Sequence, residues 1–197
     1  MRGAPSAPRL SRFVKGVRMI KLYLAACDKS SEHAIGALLA KYALHDAYDI
    51  TAPLKKDARG KPYFDGTAVH ISISHSKELC LAAISDAEIG ADIERVNGNA
   101  DKLTRLAGRF FTKGEYEYVK AAPHERFYEI WCAKESYIKY TGEGFSRPLS
   151  SFSVFDMEMH FSHFDADGYH IAVCSREYRA DTPPVFVGAD KLDNFAK

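Results

Sequence analysis

The sequence predicts an α+β protein with antiparallel sheets packed against helices. Short apolar runs and alternating apolar and polar residues indicate strands near both ends of the chain. Residues 101–140, between these strands, carry helical patterns. Because each half of the chain then contains both helices and antiparallel strands, the sequence favours α+β architecture over an all-helical or all-strand fold.

The first half is predicted to contain a strand, a helix and a meander. "MIKLYLA" (19–25) has the composition of a strand, and "SEHAIGALLAKYAL" (31–44) that of a helix with Ser30 or Ser31 as N-cap. "VHISISHS" (69–76) alternates apolar with polar residues, so one of its faces is expected to be buried. The runs 79–85 and 89–96 complete the expected meander.

The second half is predicted to begin with helices and end with strands. Helices are expected at 101–110, 113–121 and 124–140, and Gly142 supplies a stop for the last one. The segment 160–175 is typical of a hairpin with "DADG" as its turn. "PPVFVGAD" adds one last short strand.

These elements suggest three segments of chain. "VNGNA" (96–100) is the best internal boundary, which divides an N-terminal lobe (19–95) from a C-terminal lobe (96–197). Residues 1–18 contain five basic and no acidic residues, as transit peptides do. A plain basic extension is the preferred interpretation, because the first predicted strand begins at Met19.

Composition limits the classes of partner. The chain has 197 residues with a net charge of +1, so it offers no general attraction for nucleic acid or a membrane surface. No run approaches the length of a transmembrane helix. The four cysteines are scattered without metal-ligand spacing and indicate a protein of the reducing cytoplasm.

Carboxylates at strand spacing suggest a cation site. Asp92 and Glu94 in "GADIE" project from the same face of a strand, as solvated acids at a strand end or as oxygen ligands for Mg²⁺. A third carboxylate, Glu135, shares a helix face with Trp131 and Lys139. The alternative for Glu135 and Lys139 is a simple ion pair at spacing four.

Four further residues are candidates with strong structural alternatives. Glu115 lies three residues after Thr112, which is the spacing of a capping box. Lys61 in "GKPYF" and Ser74 and His75 in "SISHS" flank the same predicted sheet and could bind an anion, although single residues of these types are usually surface groups.

In this order, "GKPYF", "ISISHS", "IGADIERV", "RFFTKGEYEYV" and "FYEIWCAKESYIKYTGEGF" resemble the 4'-phosphopantetheinyl transferase superfamily of the two-lobed Sfp-like type. The resemblance runs from Gly60 to about Phe145. It implies two pseudo-twofold-related lobes in a monomer, with the active site between them. It also implies transfer of phosphopantetheine from coenzyme A to a serine of an apo acyl, polyketide or peptidyl carrier protein, with release of 3',5'-ADP.

The resemblance also implies roles for individual residues. Asp92, Glu94 and Glu135 would bind Mg²⁺, or Mn²⁺ in its place. Glu115 or a metal-bound water would deprotonate the carrier serine. The remaining residues would contact coenzyme A: Lys134 and Lys139 its phosphates, and Lys61, Ser74 and His75 its nucleotide end.

One departure and two alternatives accompany the resemblance. The first predicted helix has only Lys41 where larger relatives carry an arginine-rich stretch, so the sequence leaves open which residues contact the far end of the nucleotide. Another Mg²⁺-dependent phosphotransfer or phosphohydrolase enzyme could use the same acids. A carrier-binding homologue with weak or no catalysis is the non-enzymatic alternative.

Overall fold

The computed structural model of the protein describes residues 19–197. Their helices and strands confirm the α+β prediction, and several antiparallel sheets pack with helices. The strands are β1 Ile20–Ala26, β2 Leu54–Lys56, β3 Pro62–Phe64, β4 His70–Ser76, β5 Leu79–Ser85, β6 Ile89–Arg95, β7 His160–Ala166, β8 Tyr169–Ser175 and β9 Val185–Phe186. The helices are α1 Glu32–Tyr48, α2 Ala100–Phe110, α3 Lys113–Ala121, α4 Pro123–Thr141 and α5 Ala189–Phe195.

Two sheets form the framework of the molecule. The first has the strand order β4-β5-β1-β9, in which only β9 runs parallel to its neighbour. The second has the order β6-β8-β7 and is antiparallel throughout. Apolar residues of both sheets, such as Leu22, Leu81, Ile93 and Ile171, form one core cluster, whereas α1 and α4 cover the other faces. No helix within residues 19–197 is long and apolar enough to cross a membrane.

The expected meander is wrong in its third strand. β6 pairs along its length with β8, with Ile93 opposite Ile171, and not with β5. The short connection between β5 and β6 is compatible with a hairpin. Instead β6 pairs with β8, which lies 80 residues further along the chain. The division into lobes at residue 95 stays a prediction, and by its hydrogen bonds β6 belongs with the sheet of the second half.

The local signals at helix ends agree with the structure. Thr112 and Glu115 form the capping box of α3, and Gly142 ends α4 in the left-handed region with φ 68°. Ser31, one of the two predicted N-caps, is the N-cap residue of α1, although its side chain makes no capping hydrogen bond. The Asp28 carboxylate accepts the backbone N–H groups of Ser30 and Ser31 just before the helix begins.

Gly90 allows α4 to lie directly on β6. A Cβ atom at this position would overlap the backbone carbonyl oxygen of Ser136 and the backbone of Tyr140. Because these obstacles are main-chain atoms, they cannot move aside as a flexible side chain would. The absence of a side chain at Gly90 therefore fixes how closely the helix approaches the strand.

We expect Gly90→Ala to lower the free energy of unfolding by about 3 kcal/mol, because the added methyl group must push helix and strand apart. Gly114→Ala is the matched control, since nothing lies within 4 Å of a Cβ at that helical position. It should leave stability unchanged or raise it by up to about 1 kcal/mol. Urea denaturation of both variants measures the difference, and equal stabilities would contradict this account of the packing.

Candidate active site

The closely packed pair of β6 and α4 carries the acidic candidates. Asp92 and Glu94 lie at spacing two from Gly90, so they share the face of β6 that α4 covers. Glu135 and Lys139 lie one turn apart on α4. The structure therefore brings together two pairs of residues that lie more than 40 positions apart in the sequence.

Asp92 is the centre of this cluster. Its carboxylate is buried, and Oδ1 accepts hydrogen bonds from Lys139 Nζ at 2.7 Å and from Ser74 Oγ at 2.8 Å. Lys139 Nζ also donates to Ser74 Oγ at 2.6 Å. Within residues 19–197, Oδ2 of Asp92 is one of two buried side-chain polar atoms without a hydrogen-bond partner. Such an oxygen is costly unless a donor or cation meets it.

Burial and mutual repulsion disfavour the ionised forms of Glu94 and Glu135 beside Asp92. Burial raises the pKa of Glu135 to about 7, with the charge of Asp92 adding to the shift and Lys139 opposing it. Burial and the charge of Asp92 also raise the pKa of Glu94, although Ser76 Oγ donates to Glu94 Oε2 at 2.8 Å. Three acids thus face one ammonium group, and the excess negative charge suits a further cation.

The donor set fits Mg²⁺, which prefers carboxylate oxygens. Asp92, Glu94 and Glu135 supply three such groups, and Asp92 Oδ2 is an oxygen without a protein donor. In this structure no choice of one oxygen from each of the three carboxylates brings all three within 4.8 Å of one another. The alternative of an isolated Glu135–Lys139 pair does not describe the contacts, because Lys139 pairs with Asp92.

Lys61 joins the "GKP" loop to the end of α4. Its ammonium group donates to the carboxylate of Glu88 and, at 2.6 Å, to the carbonyl oxygen of Tyr140. A pocket of about 210 Å³ lies beside it and reaches Lys139, with Ser72 and Gly142 in its lining. Lys61 and Lys139 thus border the same pocket, as a site for an anionic ligand requires.

The pairing of Glu88 with Lys61 of the "GKP" loop can be tested through the pH dependence of stability. Its burial favours the neutral acid, but hydrogen bonds from His70 and Lys61 outweigh that effect and lower its pKa from 4.5 to about 2. The resulting stabilisation is present above about pH 4.5 and is lost as the pH falls toward 2. We therefore expect Glu88→Gln to be less stable than the parent at pH 7, with the two converging near pH 2. Urea denaturation across this range measures it, and a constant difference would contradict the pairing.

Ser74 and His75 point to opposite faces of β4. Ser72, Ser74 and Ser76 face β6, where Ser72 Oγ accepts the backbone N–H of Ala91 at 2.9 Å and Ser76 Oγ that of Arg95 at 3.1 Å. The polar face of β4 is therefore a junction between the two sheets, and Ser74 belongs to the acidic cluster. His75 lies on the other face, with Nδ1 3.4 Å from Glu32 Oε2.

Glu115 and Lys134 lie apart from the acidic cluster. Both side chains are fully buried, with Lys134 Nζ 2.8 Å from Glu115 Oε2. The carboxylate also accepts the backbone N–H groups of Thr112 and Val154, and the ammonium group donates to the carbonyl oxygens of Leu149 and Phe152. These contacts occupy both groups, so the structure favours the capping-box interpretation of Glu115 and does not bring Lys134 to a phosphate-accessible surface.

Two residues of the neighbourhood were not identified from the sequence. Glu88 holds Lys61, and Glu32 contacts His75. No local pattern signals either residue, because their partners lie far away in sequence. Ser76, a further hydrogen-bond donor of the "SISHS" run, donates to Glu94, and alternate residues such as Ser74 and Ser76 share a strand face.

Comparison with known proteins identifies the family. The family model described as 4'-phosphopantetheinyl transferase superfamily matches residues 88–182, which include β6 and α4. A 4'-phosphopantetheinyl transferase of Bacillus subtilis is 34% identical over 165 residues, which cover 72% of each chain. The Sfp protein of Bacillus subtilis (strain 168) is 33% identical over 167 residues, again 72% of each.

A third relative matches over a shorter region. The 4'-phosphopantetheinyl transferase psf-1 of Bacillus pumilus is 32% identical over 127 residues, and the chain spans only 53% of that protein's length. The Bacillus subtilis matches, by contrast, extend over most of both chains. The chain therefore belongs to the 4'-phosphopantetheinyl transferase superfamily.

Proposed function

We propose that this protein transfers the 4'-phosphopantetheine group of coenzyme A to a serine of an apo acyl, polyketide or peptidyl carrier protein. The second product is 3',5'-ADP. The observation that carries the proposal is the cluster of Asp92, Glu94, Glu135 and Lys139. It lies within the segment that matches the family, and the names of the relatives support the same reaction.

We propose Asp92, Glu94 and Glu135 as the residues that hold Mg²⁺, with Mn²⁺ as a substitute. When bound, the ion would neutralise negative charge on the pyrophosphate of coenzyme A. The unpartnered Oδ2 of Asp92 and the raised pKa values of the two glutamates support this assignment.

Lys139 and Lys61 supply the positive charge from the protein itself. In the proposed reaction the carrier serine attacks the β-phosphorus, and the bond from that phosphorus to the bridging oxygen breaks. Negative charge then develops on the α-phosphate of 3',5'-ADP. Lys139 stands at the acidic cluster and Lys61 borders the same pocket, so both can stabilise this charge.

The remaining assignments follow the surroundings of each residue. We propose that Ser74 positions Asp92 and Lys139, and that His75, on the opposite face, contacts the nucleotide end of coenzyme A. For Glu115 and Lys134 we propose a structural role in place of the base and the phosphate contact. We further propose a two-lobed monomer in the cytoplasm, with the site between the lobes.

A mass measurement on carrier proteins tests the function. The protein is incubated with coenzyme A, Mg²⁺ and a panel of apo fatty-acid, polyketide and peptide-synthetase carriers. We expect at least one carrier to gain one phosphopantetheine group, and a carrier without its acceptor serine to gain nothing. Binding of carriers without any mass gain would instead indicate a non-catalytic homologue. Consumption of coenzyme A without carrier modification would indicate a phosphohydrolase.

A further inference from the structure

A second group of possible metal ligands lies on the other face of β4. Within residues 19–197, Glu32, His33 and His75 are the one place where three His, Cys, Asp or Glu donor atoms lie within 4.8 Å of one another. Glu32 and His33 begin α1, and His75 is near the end of β4. Of these three residues, the proposed transferase site uses only His75, at the nucleotide end of coenzyme A.

The spacing of these donor atoms suits a metal ion better than a hydrogen bond. His75 Nδ1 is 3.4 Å from Glu32 Oε2, and His33 Nδ1 is 3.8 Å from Glu32 Oε1. A charge-assisted hydrogen bond would be about 2.7–2.9 Å long. Ligands at about 2.0–2.1 Å around a tetrahedral zinc ion are separated by about 3.4 Å. The two histidines approach different oxygens of Glu32 at separations close to this value, and one donor atom from each of the three residues lies within 4.8 Å of the others.

Another histidine group in the same protein shows the contrast. His170 Nδ1 is 2.8 Å from Asp165 Oδ1, and His163 Nδ1 is 3.1 Å from His170 Nε2. These are ordinary hydrogen-bond distances, so the partners of this group satisfy one another. The Glu32 group contains the same kinds of donor atom, but neither of its His–Glu distances is that of a charge-assisted hydrogen bond.

Hydrogen bonds hold the main chain at Glu32, and a carboxylate lies just before the helix that carries it. The N–H of Glu32 donates to the carbonyl oxygen of Asp28 at 2.9 Å, and Cys80 Sγ donates to the carbonyl oxygen of Glu32. Cys80 is also the cross-strand partner of His75. A helix N-terminus normally disfavours a cation, but the Asp28 carboxylate accepts the N–H groups of Ser30 and Ser31 there.

We propose that Glu32, His33 and His75 bind a zinc ion and leave its fourth position open. Two imidazoles and one carboxylate form a typical donor set for zinc, whereas Mg²⁺ and Ca²⁺ prefer oxygen donors alone. With neutral histidines, the bound ion converts one net negative charge into one net positive charge. The open position then accepts an anionic oxygen ligand such as a phosphate monoester.

Zinc titration of tag-free, chelator-treated protein tests the proposal. Residues 1–18 contain no His, Cys, Asp or Glu, so the whole chain can be used. Excess Mg²⁺ is kept present to occupy the acidic cluster. We expect one zinc ion per chain by calorimetry, with binding weakened at least about tenfold in His33→Ala and in His75→Ala. The His33 side chain is 81% exposed, so its removal should not disturb folding.

Two controls separate this site from others in the chain. His163→Ala and Glu135→Gln should bind zinc as the parent does. Failure to bind zinc, or binding that survives both His33→Ala and His75→Ala, would overturn the proposal. So would loss of binding in either control variant. Because the readout is zinc stoichiometry and affinity, these outcomes are independent of the carrier-modification assay.

Discussion

Glu135→Gln is expected to lower kcat for carrier modification by at least about 100-fold, because it removes one carboxylate from the cluster proposed to hold the Mg²⁺ that would neutralise the pyrophosphate. Glutamine keeps the size of the side chain, so packing of α4 should be preserved. The Mg²⁺ concentration needed for half-maximal activity should also rise. Steady-state kinetics at several Mg²⁺ concentrations measures both effects.

The same variant should not be less stable than the parent at neutral pH. Burial and neighbouring acids raise the pKa of Glu135 to about 7, so its ionised form opposes folding above the ordinary pKa of 4.5. Glu125→Gln, at an exposed position on the same helix, is the matched control and should keep full activity. Full activity of Glu135→Gln at limiting Mg²⁺ would remove Glu135 from the metal ligands and leave the proposed reaction intact.

Breaking the buried pair of Glu115 and Lys134 is expected to cost about 3–5 kcal/mol of stability. In Glu115→Gln the Lys134 ammonium loses its anion in an enclosed site where burial already lowers its pKa. The variant Glu115→Leu/Lys134→Met replaces both charges and should regain much of the loss. Urea denaturation of the three proteins measures this pattern.

Activity measurements on the same variants decide between two roles for Glu115. If the pair is structural, the fraction of Glu115→Gln that is folded should retain kcat. Glu117→Gln, exposed on the same helix, controls for loss of acidic charge from α3. A Glu115→Gln protein with parental stability and a kcat lowered by orders of magnitude would contradict the structural role and support its assignment as the base.

Local signals in the sequence were sufficient for the helices of the second half and for the hairpin. The box of Thr112 and Glu115, the glycine at position 142 and the turn of β7 and β8 each depend on residues within a few positions. The partner of β6 could not be predicted in this way. Ile93 meets Ile171 across a separation of 78 residues, and many apolar strands satisfy the same pattern.

The sequence predicted which residues share a face of β6 or α4, but not which neighbours their side chains contact. The spacing of Asp92 and Glu94 correctly placed them on one face of a strand, and one turn of helix correctly related Glu135 to Lys139. The contact of Lys139 with Asp92, and the enclosure of Lys134, depend on how α4 is rotated on its sheet. That rotation is set by Gly90 and by long-range packing, which single-sequence patterns do not contain.

The contact between β4 and β6 depends on serine hydroxyl groups. Neighbouring strands of a sheet are normally joined by main-chain hydrogen bonds, which any sequence can supply. Here the amides of Ala91 and Arg95 donate to the side chains of Ser72 and Ser76, while Ser74 and Ser76 donate to the carboxylates of Asp92 and Glu94. The same few hydroxyl groups therefore join β4 to β6 and position the acids. Solvent exchange at these two amides would therefore report whether the acids are still in place.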